Sequence, residues 1–265
     1  MPKFFKKKGP TALFDSIMKE HWEDAITRAQ NNPSDAKSWT KVCIDGTHSS
    51  SLLPLHQACS LKPPLRVIVT IVKAYPKAVR TKESFFFRLP IHIACLRGAS
   101  LEVIDALLSS YPDGARAKAV FDRLPLHYAC GSGSSRAIVL ALISAFPEGP
   151  QTQDEHGWLP LHLACFYNAD AEVVQALLQA YPDSVNVTTR KGKKPIQCIK
   201  LNKGRRNEKI IALLQGAAAF RQQTLPVSND HPSYSPYGLP IKRSSSTVSS
   251  VDSEYDFVPS DSEVC

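Results

Sequence analysis

Apolar positions along this chain recur in register. A branched apolar pair stands at Val67-Ile68, Val103-Ile104, Ile138-Val139 and Val173-Val174, and each is followed by a second pair at Ile71-Val72, Leu107-Leu108, Leu142-Ile143 and Leu177-Leu178. That spacing puts both pairs on one face of a helix. An aromatic-Pro dipeptide closes each stretch: Tyr75-Pro76, Tyr111-Pro112, Phe146-Pro147 and Tyr181-Pro182. The proline cannot continue a helix and biases the residue before it to extended backbone. Ahead of each first pair lies a second pattern, Leu-Pro-(Leu/Ile)-His-x-Ala-Cys, at 53–59, 89–95, 124–130 and 159–165, with a degraded copy at Lys194-Pro195-Ile196-Gln197. Its prolines lie 36, 35, 35 and 35 residues apart. A proline suits the first position of a helix, where its missing N–H costs nothing. Each unit therefore reads as short helix, tight turn, second helix, long loop. One such pair cannot bury its apolar face alone, so stacking must supply the core, and the array is expected to be an all-α solenoid.

The ends differ from the middle. Leu13, Phe14, Ile17 and Met18 form one apolar stripe, and Trp22, Ala25, Ile26 and Ala29 form another, so residues 11–32 read as two helices of a worn first unit. With the loop expected over 37–52, residues 11–52 make an N-terminal capping repeat; the full repeats occupy 53–193. A C-terminal cap is expected over 194–223, its helix running through Ala217-Ala218-Ala219 to about Gln223, with Lys203, Arg205, Arg206 and Lys209 on a basic face. Residues 1–10 form a basic arm, read either as a solubilising terminus or as a weak contact for anionic lipid or nucleic acid. From 224 to 265 the Ser/Pro-rich composition predicts disorder.

Charge adds a bias. The chain of 265 residues carries a formal +8. From Gly216 to Cys265 three Lys/Arg face six Asp/Glu, a net of −3, which leaves +11 for the rest. A basic body favours acidic partners. No apolar run approaches the roughly 20 residues of a membrane helix, and the basic N-terminus lacks the apolar core of a secretory signal. Of seven cysteines, four share one slot of the repeated phrase. Stacked helices lie about 8–10 Å apart, beyond the reach of a disulfide, so reduced thiols in a cytoplasmic, or nuclear, protein are expected.

The repeated phrase resembles that of ankyrin repeats. Pro-Leu-His-x-Ala stands intact in three copies, and the fourth reads Pro-Ile-His-x-Ala. Leu replaces the usual Thr before the proline, Cys follows the Ala, and the period is 35 rather than 33. The resemblance spans roughly residues 11–216 and implies a non-enzymatic scaffold or adaptor that binds another protein through its loop tips and concave face, as a monomer and without cofactor or small-molecule substrate. It also implies that the repeated His orients loop backbone.

Chemistry supports no rival assignment. Zinc needs ligands within about 2.0–2.3 Å of one point, which His56, His92, His127 and His162, one repeat apart, cannot provide. Cys59, Cys95, Cys130 and Cys165 read as small core residues. No phosphate loop, CxxC pair or HExxH motif is present, and Gly131-Ser132-Gly133-Ser134 reads as the turn between two helices. No catalytic, metal or cofactor residue is assigned.

Carried over by position, the implied binding residues are those at hairpin tips and on the exposed side of the first helices. Four before the proline stand Phe86, Phe121, His156 and Lys191; two before it stand Arg88, Arg123, Trp158 and Lys193. Phe85 adjoins the first of these, and Leu96, Arg97, Phe166 and Tyr167 belong to the first helices. Aromatic residues and Arg are the types enriched at interface hot spots. Either this stripe anchors an acidic and apolar partner segment, with the Arg and Lys residues steering it, or its aromatics fold back on neighbouring loops. Phe87 and Asp122 stand where Gly157 and Gly192 stand in other copies, so altered hairpin geometry is expected there. The alternative is an anionic surface, nucleic acid or acidic lipid, met by Lys3–Lys8 and the Arg190–Lys209 end. Ser235-Pro236 resembles a proline-directed phosphorylation site, and Arg243 three before Ser246 a basophilic one.

Overall fold

The computed structural model describes residues 10–43, 48–199 and 205–224. The Lys3–Lys8 arm, Lys203, Ser235, Ser246 and the tail lie outside the described residues.

The helices come in pairs: α1 Ala12–Met18 and α2 Trp22–Asn31; α3 Pro54–Ser60 and α4 Leu65–Ala74; α5 Pro90–Arg97 and α6 Leu101–Ser110; α7 Pro125–Ser132 and α8 Arg136–Ala145; α9 Pro160–Phe166 and α10 Ala171–Ala180. The last unit keeps only a 3-10 turn, Pro195–Cys198, before the longer α11, Arg205–Thr224. First helices stack in one layer, α1, α3, α5, α7 and α9, ending on the Pro195–Cys198 turn. Second helices stack in the other, from α2 through α4, α6, α8 and α10 to α11.

Each full first helix starts at its proline, after a Leu held extended. Ala58, Ala94, Ala129 and Ala164 and the four cysteines that follow them are buried, and side chains this small let neighbouring helices approach. Both apolar pairs of each second helix turn toward the same core, the leading residues of each pair buried. Removing any of these buried aliphatic groups forfeits about 1.5–3 kcal/mol of transfer free energy. The second helices end at Tyr75, Tyr111, Phe146 and Tyr181, which cap the helix while the prolines at 76, 112 and 182 open 3-10 turns.

The turn between the two helices of a unit uses a left-handed residue in every full copy, Lys62, Gly98, Gly133 and Asn168, all with φ between 52° and 72°. Gly133 is the last residue but one of the Gly-Ser turn, which caps α7.

One expectation needs correcting. The stretch 37–52 is not a plain loop: β1 Thr40–Cys43 pairs antiparallel with β2 Ser49–Leu52, Thr40 opposite Leu52 and Cys43 opposite Ser49. The serine run can be a strand because the next unit supplies its polar partners. The buried Ser50 hydroxyl donates to the Glu83 carboxylate, and the Ser51 N–H donates to Ser84 Oγ at 2.8 Å. Apart from this pair of strands the described fold is helical.

Candidate functional site

The hairpins that join the units form a column, and the repeated histidines fix its base. In each, Nδ1 accepts from the N–H of the Leu before the proline: Leu53 to His56 at 3.2 Å, Leu89 to His92 at 3.1 Å, Leu124 to His127 at 3.1 Å, Leu159 to His162 at 3.0 Å. Nε2 must then carry the proton. It donates to a carbonyl of the following hairpin, Thr81 and Ala117 at 2.9 Å, Trp158 at 3.1 Å and Lys193 at 3.2 Å. The ring thus occupies both nitrogens in tying a helix start to the next loop. Burial, only partly offset by these bonds, lowers the imidazole to about 4 at His56, about 3 at His92 and about 4 at His127; His162 is lowered as well. Burial likewise pushes the thiols of Cys59, Cys95, Cys130 and Cys165 well above the ordinary range, which leaves little thiolate for nucleophilic work.

Two buried carboxylates shape the tips. Glu83 accepts from the N–H groups of Phe85 and Phe86, both at 2.9 Å, from Arg88 Nε at 3.2 Å and from Ser50 Oγ. Burial would raise its carboxyl; the Arg88 guanidinium and the hydrogen bonds outweigh this and hold it below the ordinary value. Asp154 accepts from the N–H groups of His156 and Trp158, both at 2.9 Å, and from Arg123 Nε at 3.0 Å. Both carboxylate side chains are fully buried. Adjacent tips are also joined through backbone: Val120 N–H to Phe86 O at 2.9 Å, Glu155 N–H to Phe121 O at 2.8 Å, Arg190 N–H to His156 O at 3.0 Å.

The expected altered hairpins are a half-correct reading. Phe87 and Asp122 take φ of 54° and 58°, the same left-handed region as Gly157 at 77° and Gly192 at 74°. The geometry is therefore kept in these two copies, at the steric cost a Cβ pays there, about 1–2 kcal/mol. The hairpin before α7 does differ in one respect: Phe121 is left-handed too, at 59°.

The proposed binding residues divide by exposure. Phe85 and Phe87 are exposed, at 37% and 55%, and so are His156, Lys191 and Lys193. Phe86 and Phe121 are half-buried, with Arg88 lying 4.2 Å over the Phe86 ring and Arg123 6.0 Å from the Phe121 ring centre. Phe121 packs on His156, ring centres 5.4 Å apart. Trp158, Phe166 and Tyr167 form an edge-to-face chain, 5.5 Å and then 5.0 Å between centres, each half-buried against the core. Leu96 and Arg97 line a cleft of about 410 Å³ with Ser60, Leu61, Lys62, Gly98 and Ser132 at the ends of α3, α5 and α7, apart from the hairpin aromatics.

Arg88 and Arg123 do not serve as free steering charges. Their side chains are only 15% and 12% exposed, and each neutralises a buried carboxylate. Sequence reading missed those carboxylates. The signal was an Asp or Glu six or seven residues before the proline, present in two copies; Ala119 and Thr189 stand six before it in two others. Also missed was Trp39, 48% exposed, its ring 6.4 Å from that of His56.

Residues 91–191 match the family model for ankyrin repeats, in three copies. The stack is an ankyrin-repeat solenoid. No curated protein matches the sequence. Ankyrin repeats are generally protein–protein interaction modules, and their typical role is non-enzymatic. Among the described residues no helix is long and apolar enough to cross a membrane.

The ankyrin hairpin geometry makes a contrast between two glycines. A Cβ on Gly157 would lie 2.7 Å from the Arg190 backbone nitrogen, the atom that bonds His156 O. On Gly192 it would meet nothing within 4 Å. Gly192→Ala is expected to cost only the left-handed strain, about 1 kcal/mol, whereas Gly157→Ala also pushes two hairpins apart and should cost clearly more. Urea melts of both variants check this; equal losses would mean that the Gly157–Arg190 approach is not structural.

Proposed function

We propose that this ankyrin array binds a partner protein through its hairpin tips and the aromatic chain beside them, as an adaptor without catalytic activity. The observation that carries the reading is Phe85-Phe86-Phe87. Two of its rings are exposed, and the hairpin that bears them is pinned by the buried Glu83 while Phe87 is left-handed. A bulky residue in that region is a genuine outlier, and such strain gathers where a side chain is needed for recognition. The partner segment supplies apolar groups for Phe85, Phe87 and Trp158, and acidic groups for Lys191 and Lys193. It meets them in the cytoplasm or nucleus, and Ser235 and Ser246 are the sites at which phosphorylation would add charge to the tail.

Asn accepts the left-handed region more readily than Phe, as Asn168 does at 53° in this chain. Phe87→Asn is therefore expected to leave thermal stability unchanged or raised by up to about 1 kcal/mol, while binding weakens. A variant that loses stability would place Phe87 among the structural residues.

The exposed cations Arg190, Lys191, Lys193 and Lys194 favour a second reading, contact with an anionic surface. Salt separates the two. Phosphate contacts cost about 0.9 log units of affinity per contact for each tenfold rise in salt, so capture that collapses between 50 and 500 mM salt favours the anionic surface. Capture that persists, and that Phe85→Ser/Phe87→Asn abolishes, favours the protein partner.

A further inference from the structure

We infer that the last hairpin and the aromatic chain next to it form a docking site for the acidic segment 251–263 of the same chain. Arg190, Lys191 and Lys193 project from one hairpin, all exposed, and none of their side chains is in an ion pair among the described residues. Against them stand Glu155, exposed on the preceding hairpin, and Asp154, already neutralised by Arg123. This hairpin is bound to its neighbour through Arg190 N–H to His156 O at 3.0 Å, and to His162 through the Lys193 carbonyl at 3.2 Å. The His162 ring lies 6.0 Å from Trp158, which leads on to Phe166 and Tyr167. Three cations thus stand on the hairpin whose Lys193 carbonyl holds His162, the buried ring beside Trp158.

The segment that matches this chemistry is in the chain itself. Residues 225–265 carry six Asp/Glu against two Lys/Arg, a net of −4, which leaves +12 on the rest. Asp252, Glu254, Asp256, Asp261 and Glu263 fall within 251–263 with no basic residue among them, and Tyr255 and Phe257 are interleaved. The tether begins in the right place. It leaves from Thr224 at the end of α11, the helix that packs on the Pro182–Asn186 and Pro195–Cys198 turns on either side of this hairpin. The 28 residues from Thr224 to Asp252 span at most about 95 Å when extended, and a random coil of that length averages about 30 Å. Reach is no obstacle, and tethering at millimolar effective concentration lets a weak contact fill the site. This docking stands whether or not the hairpin tips bind a protein partner.

The test uses the full chain and a labelled peptide of residues 251–263. The peptide is titrated against wild type and against Asp252→Asn/Glu254→Gln/Asp256→Asn/Asp261→Asn/Glu263→Gln, in which the chain's own segment can no longer compete electrostatically. Binding at least tenfold tighter to the neutralised variant, lost when Lys191→Glu/Lys193→Glu is added, is the expected result. Equal affinity for both chains, or binding to neither, overturns the proposal. So does a tenfold difference that survives the lysine reversal, because the site would then lie elsewhere. Competition that grows with protein concentration would assign the segment to a second copy and overturn docking in cis.

Discussion

Acidification from pH 7 toward pH 4.5 is expected to destabilise the array steeply. In the unfolded chain the repeated histidines titrate near 6.5; in the folded one His56, His92 and His127 are lowered to about 4, about 3 and about 4. Below pH 6.5 the unfolded state therefore binds protons that the folded state refuses, and stability rises with pH across that interval. Their contribution is whole above about 6.5 and is lost as pH falls toward the folded values. Each fully differential proton is worth about 1.4 kcal/mol per pH unit, so these three alone set a slope approaching 4 kcal/mol per unit, with His162 adding in the same direction. Glu83, held low, adds its own loss only below its unfolded value, near 4.3. Urea midpoints at pH 7.5, 6.5, 5.5 and 4.8 measure the slope. His92→Gln isolates one member. In the last unit Gln197 accepts from Lys194 N–H at 2.8 Å, so Gln at 92 keeps the first bond and loses the one to Ala117. It should lower stability at pH 7.5 and remove one proton from the slope. A flat profile between pH 7 and 5, or an unchanged slope in His92→Gln, contradicts the histidine account.

Glu83→Ala is expected to be among the most damaging single substitutions in the molecule. It removes the acceptor of two tip N–H groups and of Ser50, and it strands the Arg88 charge, 15% exposed, without a partner. Breaking a buried pair from one side costs about 3–5 kcal/mol, which for a chain of this size lowers Tm by about 10 °C or more. Replacing both members, Glu83→Leu/Arg88→Leu, should recover part of the loss, because no charge is then left buried; the tip N–H groups would still lack their acceptor. Asp154→Ala should act similarly through Arg123, His156 and Trp158. Melting temperatures of the single and double variants decide. A Glu83→Ala loss under 1 kcal/mol would mean that the hairpin is held by its backbone bonds instead.

The helices were legible in the sequence because three independent signals agreed: the proline start, the paired branched residues and the aromatic-Pro stop. The left-handed slots were less so. Each full unit uses one in the helix–helix turn, yet only Gly98 and Gly133 mark it by residue type, while Lys62 and Asn168 fill it unannounced. At the hairpin tip Phe87 and Asp122 hide the same requirement. The buried ion pairs were missed because Arg88 pairs within its own hairpin and Arg123 with the next. An Arg at a variable loop position looks like solvated charge until its partner is placed. The strands at 40–52 were hidden because their ordering groups, Glu83 and Ser84, belong to the following unit.

Quantitative pull-down from native lysate with the full wild-type chain and with Phe85→Ser/Phe87→Asn measures whether exposed hairpin aromatics capture a protein partner. Circular dichroism and thermal melting first establish that the two are equally folded, as expected for side chains 37% and 55% exposed. Specific proteins recovered by the wild type at 150 mM salt are expected to fall at least tenfold in the variant. The same proteins recovered in equal amount by both would show that the tips do not bind and that Phe85 and Phe87 only complete the hairpin.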